Sequence, residues 1–199
     1  MITFKILMLG ESNVGKTTFA QTFCDQNFNE NINNLSTVGV ELFQKKITIN
    51  NKSISLEIYD AAGQNRYRSI VRSYFGGADG ILLLYDISDK KSFDLVSEWM
   101  KSLEDYVDLK EIGLIIVGNK IDLQEECRQV TEEMREELEK RHKVRVMEAS
   151  AKKNINVKEI FELLSDDMIK IKSKGKSHED LKSFKIREDD YNESHSKSC

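Results

Sequence analysis

Proline is missing from this sequence altogether, against an average usage of about 5%, and nothing in the chain accounts for it. Cysteine is scarce: Cys24, Cys127 and Cys199 are odd in number and form no C-x-x-C pair. That excludes a disulfide framework and a thiolate metal site, and fits a reducing compartment. Long apolar runs are lacking too, none approaching the roughly 20 residues that span a bilayer. The start, Met1, Ile2, Thr3, Phe4, Lys5, does not have the layout of a signal peptide, so the chain is expected to begin in the cytosol. Residue 2 is Ile rather than Gly, which removes N-myristoylation. No excess of positive charge exists either: 30 Lys and Arg stand against 34 Asp and Glu, with a net charge of −4 and a pI near 5.6. This is the balance of an ordinary soluble protein, and no nucleic-acid partner is expected. At 199 residues there is room for one well-buried domain and a tail, not for two full domains.

What is present is organised around Gly10 to Thr18, which reads G-E-S-N-V-G-K-T-T. An apolar run, Ile6 to Leu9, precedes it and a helix-like segment follows, the context that a phosphate-binding P-loop requires. Gly10 and Gly15 let the backbone turn so that the N–H groups of Glu11, Ser12, Asn13, Val14, Gly15, Lys16, Thr17 and Thr18 converge on phosphate oxygens at a helix N-terminus. The Lys16 ammonium reaches the β- and γ-phosphates, and the Thr17 hydroxyl can ligate the Mg²⁺ that bridges them.

Along the chain, residues 2–9 read as a strand and Lys16 to Cys24 as a helix, followed by an Asn-rich loop over 27–37. Alternating runs at 41–49 and 54–59 flank Asn50-Asn51 and read as an antiparallel hairpin. Gly80 to Tyr85 is a continuous apolar run, as in an interior strand covered on both faces. Ser92 to Val107 reads as one amphipathic helix with Phe93, Val96, Met100 and Leu103 on its stripe and Trp99 beside it. A strand at Leu114 to Val117, a helix from Thr131 to Arg141, a strand at Val144 to Met147 and a helix from Val157 to Lys172 complete the pattern. Strands alternate with helices, which predicts an α/β, mostly parallel sheet with helices on both faces. Ligands of such sheets bind beyond the carboxyl ends of the strands. The loops at Gly10, Asp60, Asn119 and Ser150 all belong there. From Ser173 onward apolar residues are sparse and charges of both signs are mixed, the composition of a disordered tail.

The other loops carry chemistry of their own. Asp60, at a strand end, can hold magnesium through water, and Gly63 leaves room for its N–H to approach a γ-phosphate. The Gln64 amide can orient an attacking water in line with the leaving phosphate, a positioning role. Asn119-Lys120-x-Asp122 supplies the choice of base. A carboxylate at Asp122 accepts from the N1–H and exocyclic amine of guanine, whereas adenine offers no such donor pair. The aliphatic stem of Lys120 can cover the ring face, and the Ala151 N–H can donate to the guanine carbonyl.

G-E-S-N-V-G-K-T, S-T-V-G-V-E-L, D-A-A-G-Q, N-K-I-D and E-A-S-A-K, in this order and spacing, resemble the small Ras-type GTPases. V-G-V-E-L at 38–42, S-L-E-I-Y at 55–59, R-Y-R-S-I at 66–70, Y-F-G-G-A at 74–78 and L-L-Y-D-I-S at 83–88 resemble the Rab branch. The resemblance, over about residues 4–170, implies a three-layer P-loop NTPase fold whose six-stranded sheet has one antiparallel strand. It implies GTP and GDP as ligands, Mg²⁺ as cofactor, and a slow GTPase of vesicle traffic. By the same motif match Phe28 packs beside the guanine. Ser36 and Thr37 contact the nucleotide, and Thr37 ligates magnesium with Thr17 and Asp60 and senses the γ-phosphate. Ser150, Ala151 and Lys152 complete the nucleotide set, and Lys16, Thr37 and Gln64 form the catalytic set. Exchange factors, GTPase-activating proteins and effectors are expected at the switches, Thr37 to Phe43 and Gln64 to Tyr74.

Departures from the family pattern are specific. The stretch from Phe28 to Thr37 is about two residues longer, with Asn where an aromatic is usual. Ala61 replaces Thr and Asn65 an acidic residue, which bears on nucleotide exchange. One cysteine, Cys199, stands where two are common, and it forms no C-a-a-X box. Single geranylgeranylation of Cys199, an escort protein for that lipid and a reversible hold on the cytoplasmic face of an endomembrane through the tail are the expectation. The competing readings are a GTP-binding scaffold that does not hydrolyse, or another Ras-superfamily branch; a P-loop metabolic kinase would need a lid and acceptor pocket not found here. The domain reading is a GTPase domain over 1–172 and a tail over 173–199.

Overall fold

The computed structural model describes residues 2–24, 39–61 and 73–174. The expected Asn-rich loop, most of the Gln64 to Tyr74 segment and the tail beyond residue 174 lie outside the described residues. Among those described, six strands form one sheet in the order β2-β3-β1-β4-β5-β6. They are β1 (Ile2–Leu9), β2 (Val40–Ile49), β3 (Lys52–Ala61), β4 (Gly80–Asp86), β5 (Gly113–Asn119) and β6 (Arg145–Ala149). Only β2 runs antiparallel, paired along its length with β3. The two are joined at Asn50 and Asn51, which adopt φ of 49° and 60°. Two successive positive φ values define the turn whose twist matches the strands it connects, and Asn tolerates them better than most residues.

Alternation along the strands produces two cores. Leu82 and Leu84 of β4 face one way, with Phe4, Ile6 and Met8 of β1. They are covered by Phe19, Ala20 and Phe23 of α1 (Lys16–Phe23) and by Val157, Ile160, Phe161, Leu164 and Met168 of α5, helical over 157–174. Residues 173 and 174, assigned to the tail from sequence, are therefore helical. Ile81, Leu83 and Tyr85 face the other way with Leu7 and Leu9. There they meet α2 (Lys90–Asp94), α3 (Val96–Glu104) and α4 (Glu132–His142). Because β4 is buried on both faces over its whole length, its sequence is a run rather than an alternation.

The helix expected as a single unit over Ser92 to Val107 differs in detail. It starts at Lys90, where the Asp89 side chain accepts from the Lys91 N–H (3.0 Å) and caps it. At Leu95 the helix tightens: the Leu95 carbonyl accepts from both Glu98 and Trp99 N–H groups, 3.1 Å each, which separates α2 from α3. Apolar periodicity marks the buried stripe, and it carries no signal for such a local change of pitch.

Candidate nucleotide site at the strand ends

Between β1 and α1 the chain must reverse within a few residues. Gly10 does so at φ 133°, where a Cβ would come within 2.2 Å of the Leu84 carbonyl oxygen. Gly15, at φ 93°, leaves room for the Asn119 amide nitrogen, which a Cβ would meet at 2.5 Å. The loop curls back so that the Lys16 ammonium donates to the carbonyls of Gly10 (3.0 Å) and Glu11 (2.8 Å). Burial pushes that ammonium down to about 8, opposed by the nearby Asp60 and Glu11 carboxylates. No side chain caps α1 at Gly15, and the N-terminus of a helix is the end that favours an anion.

Parallel pairing of β3 with β1 sets Asp60 beside Met8, fully buried under this loop. There its Oδ2 accepts from the Thr17 hydroxyl at 2.5 Å. A hydroxyl and a carboxylate next to a phosphate cradle are the hard-oxygen donors that magnesium takes when phosphates complete its shell. Among the described residues no three His, Cys, Asp or Glu side chains gather into a metal cage.

Asn119 ends β5 and ties three segments together. Its amide donates to the Val14 carbonyl (2.9 Å) and its oxygen accepts from the Ala151 N–H (3.0 Å). The N–H expected to meet the guanine carbonyl thus has a protein partner here. The Ser150 hydroxyl donates to Asp122 Oδ1 at 2.5 Å, and Thr22 Oγ donates to the Ala151 carbonyl at 2.9 Å. The Lys120 ammonium lies 2.6 Å from Asp86 Oδ2. Thr17, Asp60, Asn119, Lys120, Asp122, Ser150 and Ala151 therefore stand with Lys16 and the P-loop on one rim. Phe28, Ser36, Thr37, Gly63, Gln64 and Cys199 lie outside the described residues.

With this geometry in place, the sequence profile of the Ras family matches residues 5–170. The chain belongs to the Ras family. Within the Ras family it is similar to Ras-related protein Rab-13 of Rattus norvegicus, 39% identical over 166 residues that cover 83% of this chain and 80% of that protein. It is likewise similar to Rab-8A of Bos taurus, 40% identical over 165 residues (83% and 78% covered), and to Rab-10 of Diplobatis ommata, 37% identical over 168 residues (84% and 82%). It is a Rab-like small GTPase that binds guanine nucleotide, hydrolyses GTP and regulates membrane traffic.

Two contacts of this Ras-family site escaped the sequence reading. The Trp99 indole N–H donates to Glu11 Oε1 (3.0 Å), which ties the P-loop to α3, and Asp86 holds Lys120. Both pairs join residues far apart in sequence, and no spacing rule links them. The position of Asp86 at the end of the apolar run Gly80 to Tyr85 was the available signal.

Proposed function

We propose that this GTPase works as a two-state switch in which the γ-phosphate of GTP holds Thr37 and Gly63, and hydrolysis releases the loops that carry them. The observation that carries this reading is the convergence of the P-loop, Asp60, the Asn119–Asp122 segment and Ser150 on one rim, joined by the Asn119 hydrogen bonds. Lys16 contacts the β- and γ-phosphates, and Asp122, held by Ser150, selects guanine through its two ring-edge donors. Thr17 and Asp60, with Thr37, would hold Mg²⁺, which when bound neutralises charge on the phosphate oxygens. Gln64 orients the attacking water.

Intrinsic hydrolysis is slow, and an activating partner accelerates it by on the order of 10³ to 10⁵. Partners read the switch surface. Half-exposed Leu42 and Tyr74 and a cavity of about 200 Å³ lined by Leu7, Tyr59, Tyr74 and Ala78 support that placement. Residues 1–172, with residues 173 and 174 that continue α5, form the GTPase domain, and the rest of the chain is a tail whose Cys199, geranylgeranylated and escorted by a prenyl-binding protein, holds the cytoplasmic face of an endomembrane.

The test is chemical. Extraction of the purified protein should yield GDP or GTP, and single-turnover hydrolysis should slow at least tenfold in Gln64→Leu. Recovery of no guanine nucleotide, with no binding of added GDP, overturns the nucleotide assignment, and equal rates in the two proteins overturn the role of Gln64.

A further inference from the structure

Lys120 is held at both ends in an unusual conformation. Its backbone has φ 74°, in the left-handed region, and its Cε lies 4.0 Å from where a Cβ of Gly15 would stand. Its ammonium is 2.6 Å from Asp86 Oδ2. The stem therefore runs from the end of β5, beside the P-loop, to the end of β4. Asp86 is itself fixed. Its other oxygen accepts from the Ser88 N–H (2.8 Å) and the Ser88 hydroxyl (2.6 Å), and its own N–H donates to Ser92 Oγ (3.0 Å). Parallel pairing sets Asp86 directly beside Asn119, the residue before Lys120, and the Ile87 N–H donates to the Asn119 carbonyl (3.1 Å). The Asp86 side chain is 10% exposed and the Lys120 side chain 33%, so the pair is only partly screened by water.

A lysine stem covers a ring face only if its rotamers are restricted, and a free lysine on a rim samples many. We infer that Asp86 is a positioning residue: by holding the Lys120 ammonium and being held by Ser88, it sets the Lys120 stem as a fixed wall against the purine face. This rests on the guanine-nucleotide reading of the site and on the expectation from the Asn119-Lys120-x-Asp122 motif that the Lys120 stem covers the base. Asp86 acts through Lys120 and Ser88, the partners its two carboxylate oxygens hold. Its effect falls on how long the nucleotide stays and is indifferent to which groups the ring edge carries, because the edge is read by Asp122.

The experiment uses the full chain loaded with a fluorescent N-methylanthraniloyl derivative of GDP and chased with excess GDP. Asp86→Asn retains an oxygen that accepts from Ser88 but removes the charge that holds Lys120. Dissociation is expected to quicken roughly tenfold, while the melting temperature stays within a few degrees of the wild type. In a Lys120→Ala background the same substitution should change the rate less than twofold, since the pair no longer exists to be broken. Hypoxanthine-bearing IDP, which lacks the exocyclic amine, should be released faster by the same factor as GDP. Wild-type dissociation in Asp86→Asn, or an undiminished effect in the Lys120→Ala background, overturns the inference. A wild type that retains no GDP analogue refutes the nucleotide assignment instead, before any variant is compared.

Discussion

At Gly10 two constraints coincide, a positive φ and an approach to the Leu84 carbonyl that leaves no space for a methyl group. Gly10→Ala must distort the backbone or push β4 away, and is expected to cost roughly 2 to 5 kcal/mol, measured by urea unfolding, together with loss of co-purifying nucleotide. Ser150 carries a subtler role. Its hydroxyl holds the Asp122 carboxylate, so Ser150→Ala removes a charge-assisted hydrogen bond of about 1.5 to 3 kcal/mol. Guanine-nucleotide release should accelerate by about an order of magnitude or more in a stopped-flow chase, with the α/β fold intact by circular dichroism. The same two residues show what sequence can name. Gly10 belongs to a recognisable motif, and its chemical need could be stated in advance. Ser150 could be placed in the nucleotide set, but its partner lies 28 positions away and only the fold pairs them.

Elements whose signals are local were read nearly to the residue. α4 opens where Thr131 accepts from the Met134 N–H (3.4 Å) and carries acids in its first turn and Lys140, Arg141 and His142 in its last, which complements its dipole. Thr131→Ala should cost about 1 kcal/mol, visible as a lower melting midpoint. At the other end His142 lies 3.2 Å from Ser97 Oγ on α3. Burial pushes its imidazole below the ordinary value of 6.5, with Arg141 adding to the shift and Glu104 opposing it. Since the folded form binds its proton less readily than the unfolded one, the contribution to stability is full above about pH 6.5 and fades as pH falls below it, through the lowered folded-state pKa. Urea midpoints at pH 7.5 and 5.5 should therefore converge more for His142→Asn than for the wild type. The break at Leu95 was not legible, because it changes hydrogen-bond pitch without changing which residues are apolar.

For the molecule as a whole, binding to the native state alone adds stability by mass action, about 4 kcal/mol when free ligand is 1,000 times its dissociation constant. GDP with Mg²⁺ should raise the melting temperature, and a chelator should lower it if Thr17 and Asp60 hold the metal as proposed. Differential scanning fluorimetry with and without the chelator checks this. By itself the sequence determined what repeats or lies close at hand: the period of each strand and helix, the Asn50-Asn51 turn, the doubly buried β4 and the motifs that carry phosphate and base chemistry. All of these rest on neighbours within a few positions. Tertiary structure alone decided the strand order and the pairs that bridge it: Asn119 on Val14 and Ala151, Trp99 on Glu11, and Lys120 on Asp86. Each joins segments brought together by parallel crossovers, and such contacts depend on packing two cores against one sheet rather than on any spacing along the chain.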